Sequence, residues 1–259
     1  MPIGGRVAVA VLSVIMALSG VACSGAPAAP SAARTPVSPE DSRFSTARGF
    51  TVREVNPVTA NGSRDTNAQA AGASCDSAQL ASDRSLGNQI AAGFAAGNFP
   101  AAASLLRHFL AGTGTGVSYP AGSPISKLAR ASSTFQVMDR RVQAAVARQL
   151  KAGDTQVQLP AGQLPTVTFS EATSDLYWSF RGTQGLTVSG SGSRKGERYV
   201  GTLTYVIADS YGFPVDDTLG GFGPPMRYLQ TVCGAPQHAG GARWFPDSVT
   251  VTVPFDQPA

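Results

Sequence analysis

The sequence predicts an α+β fold in which N-terminal helices pack on a C-terminal, mainly antiparallel sheet. Apolar residues recur at helical spacing from about residue 82 to residue 153, whereas alternating and β-branched residues dominate from residue 159 onward. The longest strand signal, residues 198–213, lies in this second part and is apolar on both faces, as in the interior of a sheet. Helices first and strands later favour one compact domain of two layers.

Three stretches in the first half of the chain carry the apolar stripe of an amphipathic helix. The stripes are Leu86, Ile90 and Phe94 in the first stretch, Leu105, Leu106, Phe109 and Leu110 in the second, and Phe135, Met138, Val142, Val146 and Leu150 in the third. Each stripe is expected to face the core.

The ends of these helices also have sequence signals. Asn98 is expected to cap the second helix, and Ser132 or Ser133 the third, because short polar side chains accept hydrogen bonds from the first turn. Gly112 and Gly153 are expected to end these helices, because glycine readily adopts the left-handed conformation that follows a helix.

One strand is predicted before the helices, and the others form a series in the second half of the chain. The predicted strands are a first one at 50–58, then 166–169, 175–180, 185–189, the central strand 198–213 and a last strand at 248–255. Residues 189–193, a Ser-Gly repeat, are expected to form a flexible hairpin connection into the central strand. The long Gly- and Pro-rich segment 214–246 is expected to be an ordered loop because it holds several aromatic residues and a cysteine.

Composition limits the classes of partner. The chain has 259 residues and a net charge of +4, only 14% of its residues are charged, and its basic residues are not clustered. Nucleic-acid binding usually needs clustered Lys and Arg, so no nucleic-acid partner is expected. The two histidines and three cysteines do not form the ligand pattern of a metal site, and no motif for a cofactor is present.

The N-terminus has the pattern of an export signal. Arg6 supplies a positive start, and residues 7–18 form an apolar run that is too short to span a membrane. The following LSGVAC resembles the lipobox of bacterial lipoproteins, although Gly20 stands where that family usually has Leu. The resemblance implies a signal peptide at 1–22, a lipidated Cys23 and an anchor at the extracytoplasmic face of the cell membrane; plain secretion is the alternative.

The residues after Cys23 divide into a tether and a folded part. Residues 24–48 are rich in Pro, Ala and Ser, so 23–48 is predicted to be the lipidated cysteine with a disordered spacer, and 49–259 a single α+β domain. The mature part also resembles uncharacterised lipoproteins of high-GC Gram-positive bacteria, which implies a location and no mechanism.

Two cysteines remain once Cys23 carries lipid. An exported protein meets oxidising conditions, so Cys75 and Cys233 are expected to form a disulfide. The alternative is a reactive thiol at Cys233 with His238 as its base.

Candidate catalytic residues lie near the end of the central strand. Asp209 could act with Asp217 or His238, because neighbouring titratable groups can divide the roles of acid and base. Residues 209–213, DSYGF, are similar to the Asp-x-Tyr-Asp-Phe element of colicin M-type toxins, in which the two Asp belong to the site that cleaves lipid II. Gly212 replaces the second Asp here, so the similarity implies a shared geometry at a sheet end and not that activity.

The same region offers a contact surface for a partner. Its aromatic and cationic residues are Phe222, Arg227, Tyr228, Arg243 and Trp244. The chain has no complete catalytic signature, which favours a non-catalytic binding or structural role in the cell envelope, with an envelope protein or a cell-wall ligand as partner. An envelope hydrolase is the alternative.

Overall fold

The computed structural model describes residues 49–55, 74–160, 167–181, 185–213, 222–234 and 240–259. All of them belong to one compact unit, Ser45–Ala259. The predicted signal peptide, the lipobox with Cys23 and the spacer up to residue 48 lie outside the described residues.

The described chain contains six helices and six strands. The helices are α1 (Ser77–Ala96), α2 (Pro100–Ala111), α3 (Pro124–Ala131), α4 (Ser133–Lys151), α5 (Asp175–Phe180) and α6 (Gly223–Thr231). The strands are β1 (Gly49–Val55), β2 (Val117–Tyr119), β3 (Gln156–Pro160), β4 (Gly185–Lys195), β5 (Arg198–Tyr211) and β6 (Phe245–Pro258). Within this part of the chain, none of the helices has both the length and the apolar character needed to cross a bilayer.

All six strands form one sheet in the order β2-β6-β5-β4-β1-β3. The neighbours β6-β5, β5-β4 and β4-β1 are antiparallel, and only the two edge strands β2 and β3 pair in parallel. The predicted fold class is therefore confirmed: helices from the first half pack against a mostly antiparallel sheet. The strand β5 lies inside the sheet, as its two apolar faces predicted.

The helices cover one face of the sheet. Alternate residues of the two longest strands are buried on this face, among them Tyr205 and Ile207 of β5 and Val249 and Val251 of β6. The Tyr205 hydroxyl donates a 2.6 Å hydrogen bond to Asp139, which links β5 to α4. The predicted stripe of α4 is confirmed, since all five of its apolar residues are buried.

The buried apolar residues form two clusters. The main cluster joins α3, α4 and α5 to the centre of the sheet and includes Phe135, Ile207 and Val249. The second cluster joins α1, α2 and α6 to one end of the central strands and includes Phe109 and Phe245.

The side of helix α1 that is buried differs from the predicted side. Its buried residues are Asp83, Gly87 and Ala91, and the apolar residues at 86, 90 and 94 are half-buried. A side chain at Gly87 would lie 2.9 Å from a methyl carbon of Leu110. The missing side chain therefore lets α1 approach α2 closely, so this contact depends on small residues.

Residues 175–180 were predicted to be a strand, and this prediction is wrong. They form α5, in which Asp175, Leu176, Ser179 and Phe180 are buried at helical spacing. Ser174 caps the helix by accepting a hydrogen bond from the Leu176 amide. The cap and the burial of one helical side outweigh the β-propensity of Tyr177 and Trp178, which is a weak and context-dependent preference.

Other local predictions also need correction. Helices α3 and α6 were missed, and α6 begins within the segment predicted to be a loop. Residues 189–193 belong to β4 rather than to a connection, and the turn to β5 contains Gly196 with φ of +59°. Residues 167–170 have no regular structure.

The start of α2 differs as well. Asn98 has φ of +63° and precedes the helix, whose N-cap residue is Phe99. The side chain that accepts hydrogen bonds from its first amides is Asp175 of α5. A residue distant in sequence thus replaces the predicted local cap.

Candidate functional site

Asp209, the first predicted catalytic residue, faces a second aspartate across two central strands. The antiparallel register of β5 and β6 places Asp209 directly opposite Asp247. Ile207 and Val249, two positions along each strand, are buried under the helices. Because side chains two positions apart point to the same face, both carboxyl groups lie on the helix-covered side of the sheet.

The two carboxyl groups differ in their hydrogen bonds. Asp209, which is 5% exposed, accepts a 2.8 Å hydrogen bond from the Ser210 amide. Asp247 is 3% exposed, and neither of its carboxyl oxygens has a hydrogen-bond partner. Burial, and then the charge of Asp209, raise the pKa of Asp247 well above its ordinary value. Asp247 therefore keeps its proton to a higher pH than an ordinary aspartate does.

Tyr119 is a third buried polar group near this pair. It lies on β2, and its hydroxyl is buried without a hydrogen bond of regular geometry. Burial raises the pKa of Tyr119 to about 12; the charges of Asp247 and Asp175 add to this effect, and nearby Ser104 opposes it. Tyr119 therefore keeps its proton at neutral pH and adds no charge to the site.

A carboxyl group with a raised pKa beside a second carboxyl group has the composition of an acid–base pair. Catalysis also requires that one of the two groups reach the substrate. At exposed fractions of 5% and 3%, Asp209 and Asp247 do not offer that access in this conformation. The pair is thus able to hold and release a proton but is closed to a substrate.

The predicted partners of Asp209 are outside the described residues. Both Asp217 and His238 fall in segments that the structure does not describe, so their pairing with Asp209 stays a prediction. The partner that the structure gives to Asp209 is Asp247. The sequence alone could not place Asp247 opposite Asp209, because that placement depends on the register of two strands.

The five residues of the predicted contact surface have different surroundings. Phe222 precedes α6, Arg227 and Tyr228 lie within it, and Arg243 and Trp244 come just before β6. All five are half-buried. The Tyr228 hydroxyl accepts a 2.8 Å hydrogen bond from the Asp76 amide, so this residue connects α6 to the start of α1. Tyr228 therefore has a structural role.

Phe222 belongs to a group of aromatic rings that was not predicted. This aromatic cluster consists of Phe94, Phe99, Tyr177, Trp178 and Phe222, all of them half-buried. Trp178 is central: its ring centroid lies 5.2 Å from that of Phe94, 4.9 Å from that of Tyr177 and 6.5 Å from that of Phe222. The cluster was missed because residues 177 and 178 were assigned to a strand.

Polar contacts hold the aromatic cluster in place. The Trp178 indole donates a 2.9 Å hydrogen bond to the Ala172 carbonyl. The Arg181 guanidinium lies 5.4 Å from the centre of the Tyr177 ring, at the distance of a cation–π contact. Partly exposed Trp, Tyr and Arg side chains on fixed elements are the residue types that dominate protein interfaces.

The predicted disulfide is confirmed. Cys75 and Cys233 are bonded, with their Cα atoms 5.0 Å apart. The bond joins the residue before the Asp76 cap of α1 to the chain just after α6. It excludes the alternative of a free reactive thiol at Cys233, because both sulfur atoms are used.

Neither the search for metal ligands nor the comparison with known proteins assigns a function to the site. Over the residues that the structure describes, no three His, Cys, Asp or Glu side chains are grouped as metal ligands. Comparison of this chain with protein families, with curated proteins and with solved structures finds no match.

Proposed function

We propose that this protein is a lipid-anchored binding protein of the cell envelope, held at the extracytoplasmic face of the membrane, and that its role is not catalytic. The disulfide between Cys75 and Cys233 supports export, because such bonds persist in oxidising compartments. The lipobox-like sequence before Cys23 supports a lipid anchor. The observation that carries the binding role is the aromatic cluster around Trp178.

The anchor can be tested at Cys23. The Cys23→Ala variant should move from the membrane fraction to the soluble fraction, because two acyl chains are needed for stable anchoring and the variant can accept none. Fractionation and metabolic labelling with a fatty acid measure the change. The matched control is Cys75→Ala with Cys233→Ala, which removes the disulfide and keeps Cys23; it should stay in the membrane. Retention of Cys23→Ala in the membrane would refute lipidation at this residue.

The aromatic cluster is a better contact surface than the predicted set of five residues. Its rings come from α1, α5 and the starts of α2 and α6, so their relative positions are fixed by four packed elements. A fixed surface loses little side-chain entropy when a partner binds. The expected partner is an envelope protein or a cell-wall ligand with an apolar face for Trp178 and Phe222.

A binding experiment tests this surface. We expect Trp178→Ala and Phe222→Ala to weaken capture of the partner from solubilised envelopes or purified cell wall about tenfold or more, since a central interface residue contributes over about 1.4 kcal/mol. Leu128→Ala and Val137→Ala are matched controls, because these side chains are 45% and 43% exposed and lie on α3 and α4. Thermal unfolding must show that each variant is folded. Equal capture by folded cluster variants and controls would contradict the proposal.

The second candidate function is an envelope hydrolase that uses Asp209 with Asp217 or His238. The observation in its favour is the raised pKa of Asp247 beside Asp209, since acid–base pairs are recognised by such divergence. The same envelope preparations distinguish the two functions. If the protein releases soluble fragments of the envelope material and Asp209→Asn does not, the hydrolase is supported. If the protein captures its partner and releases no fragments, the binding protein is supported.

A further inference from the structure

We infer that Asp247, held opposite Asp209 between the two core clusters, is a proton-binding site that keeps the second cluster packed on the sheet. This role is independent of the proposed envelope function. The proton-binding site consists of two carboxyl groups on adjacent central strands, with the main cluster on one side and the second cluster on the other.

The position of the pair is the first observation. Along β6, Phe245 belongs to the second cluster and Val249 to the main cluster, and Asp247 lies between them. Along β5, Ile207 belongs to the main cluster, and Asp209 follows it before the chain reaches Phe213 of the second cluster. The carboxyl pair therefore lies at the boundary where α1, α2 and α6 are joined to the rest of the core.

The lack of a donor at Asp247 is the second observation. An ionised carboxylate is rarely buried without an opposite charge or hydrogen bonds, because its desolvation is costly. Neither oxygen of Asp247 has a hydrogen-bond partner of regular geometry, and the one contact that lowers its pKa, with its own backbone amide, has less effect than burial and the charge of Asp209. The simplest occupant that satisfies this buried carboxyl group is a proton.

The other titratable and charged groups on the surrounding elements do not replace that proton. Tyr119 of β2 is neutral, and the Asp175 carboxylate of α5 accepts hydrogen bonds from α2 amides. On α2, the Nε2 atom of His108 is 2.8 Å from the Thr115 carbonyl oxygen, and Arg227 of α6 forms no ion pair with Asp247. The nearest charge that acts on Asp247 is the like charge of Asp209.

The sign of the pH effect follows from these contacts. The pKa of Asp247 is raised in the folded state and ordinary in the unfolded state, so folding takes up a proton above about pH 4. The contribution of Asp247 to stability is therefore fully present below the unfolded pKa and is lost as the pH rises from the unfolded pKa to the folded one. Loss of the proton puts two negative charges opposite each other on adjacent strands, where paired Cα atoms are about 5.5 Å apart. The second cluster should then loosen from the sheet.

Urea unfolding of the full mature chain between pH 4 and pH 9 tests the proposal. In the wild type the unfolding constant should rise with pH, by up to tenfold per pH unit for one linked proton. Asp247→Asn should lose this contribution and have the higher urea midpoint at pH 8, because the amide is neutral and nearly isosteric. The matched control is Asp154→Asn, an exposed aspartate after α4, which should keep the wild-type slope. An unchanged slope in Asp247→Asn would overturn the proposal.

Hydrogen exchange provides a second measurement that does not depend on one variant. After correction for intrinsic rates, amides of α2 and α6 should lose protection as the pH rises and should be less protected than those of α4 at pH 8, because they also exchange when only the second cluster opens. In Asp209→Asn the loss should begin at the same pH and end at a lower pH, because burial still raises the pKa of folded Asp247 but the neighbouring charge is gone. Equal protection of α2, α6 and α4 at every pH would overturn the proposal. Stabilisation of the wild type at pH 8 by added Ca²⁺, absent in Asp247→Asn, would identify a cation site instead and also overturn it.

Discussion

Replacement of Cys75 and Cys233 by serine should lower the free energy of unfolding by about 2–5 kcal/mol and loosen α1 before any other helix. The bond spans a sequence separation of 158 residues. In the loop-entropy model a closure of this length restricts the unfolded chain by about 5 kcal/mol. This upper value is a large fraction of the stability of an ordinary domain.

The local effect follows from the weak apolar contact of α1. Two of its three buried residues, Gly87 and Ala91, are small, and the third is Asp83. Its larger apolar side chains, Leu80, Ile90 and Phe94, pack against the second cluster but are only partly buried. Polar contacts add to these: the Asp76 amide donates to the Tyr228 hydroxyl, and the Arg84 guanidinium donates to the carbonyls of Leu110 and Gly240. Small apolar areas contribute little free energy, so the disulfide has an unusually large share in keeping α1 in place.

Urea unfolding and hydrogen exchange can measure both effects. The comparison should use chains that carry Cys23→Ser, so that a reductant acts only on Cys75 and Cys233. Reduction of the parent chain should reproduce the double serine variant, with faster exchange in α1 than in α4. If α1 and α4 lose protection equally, the disulfide acts only on the unfolded state, and the packing of α1 does not depend on it.

The sequence-based prediction succeeded where one element had a long and regular pattern. Helix α4 has five buried apolar residues at helical spacing, and burial alternates from Leu203 to Asp209 in β5 and from Phe245 to Phe255 in β6. The cysteine pair could be predicted because only two cysteines remained once Cys23 was assigned to the lipid. In these cases local sequence and tertiary contacts favour the same structure.

Prediction failed where tertiary contacts decide the outcome. The DLYWSF sequence of α5 favours a strand, yet Asp175 is buried against the start of α2 and fixes the segment as a helix. Asp209 and Asp247 face each other because of the register between β5 and β6, and these two strands are separated in the sequence by α6. A one-residue shift of that register would turn one carboxyl group to the other face, so composition and spacing alone could not identify the pair.

The second large effect is expected at Asp175. Asp175→Ala should lower the free energy of unfolding by about 2–4 kcal/mol, because a buried donor left without a partner costs about 1–3 kcal/mol. The Asp175 carboxylate accepts 2.9 Å hydrogen bonds from the amides of Ala101 and Ala102. Pro100 has no amide hydrogen, and the Ala103 amide bonds to the Phe99 carbonyl. The two amides that remain in this first turn therefore depend on one side chain from another helix.

Two further variants separate the effect of the hydrogen bonds from that of the negative charge. Asp175→Asn keeps one acceptor oxygen and loses the charge that favours a helix N-terminus, so about half the loss is expected. Asp154→Ala, at an exposed site, should change stability by less than about 0.5 kcal/mol. Faster hydrogen exchange should appear first in α2, which supplies Leu105, Leu106 and Phe109 to the second cluster. Equal stability of Asp175→Ala and the wild type would mean that water replaces the carboxylate, and that α5 does not fix the start of α2.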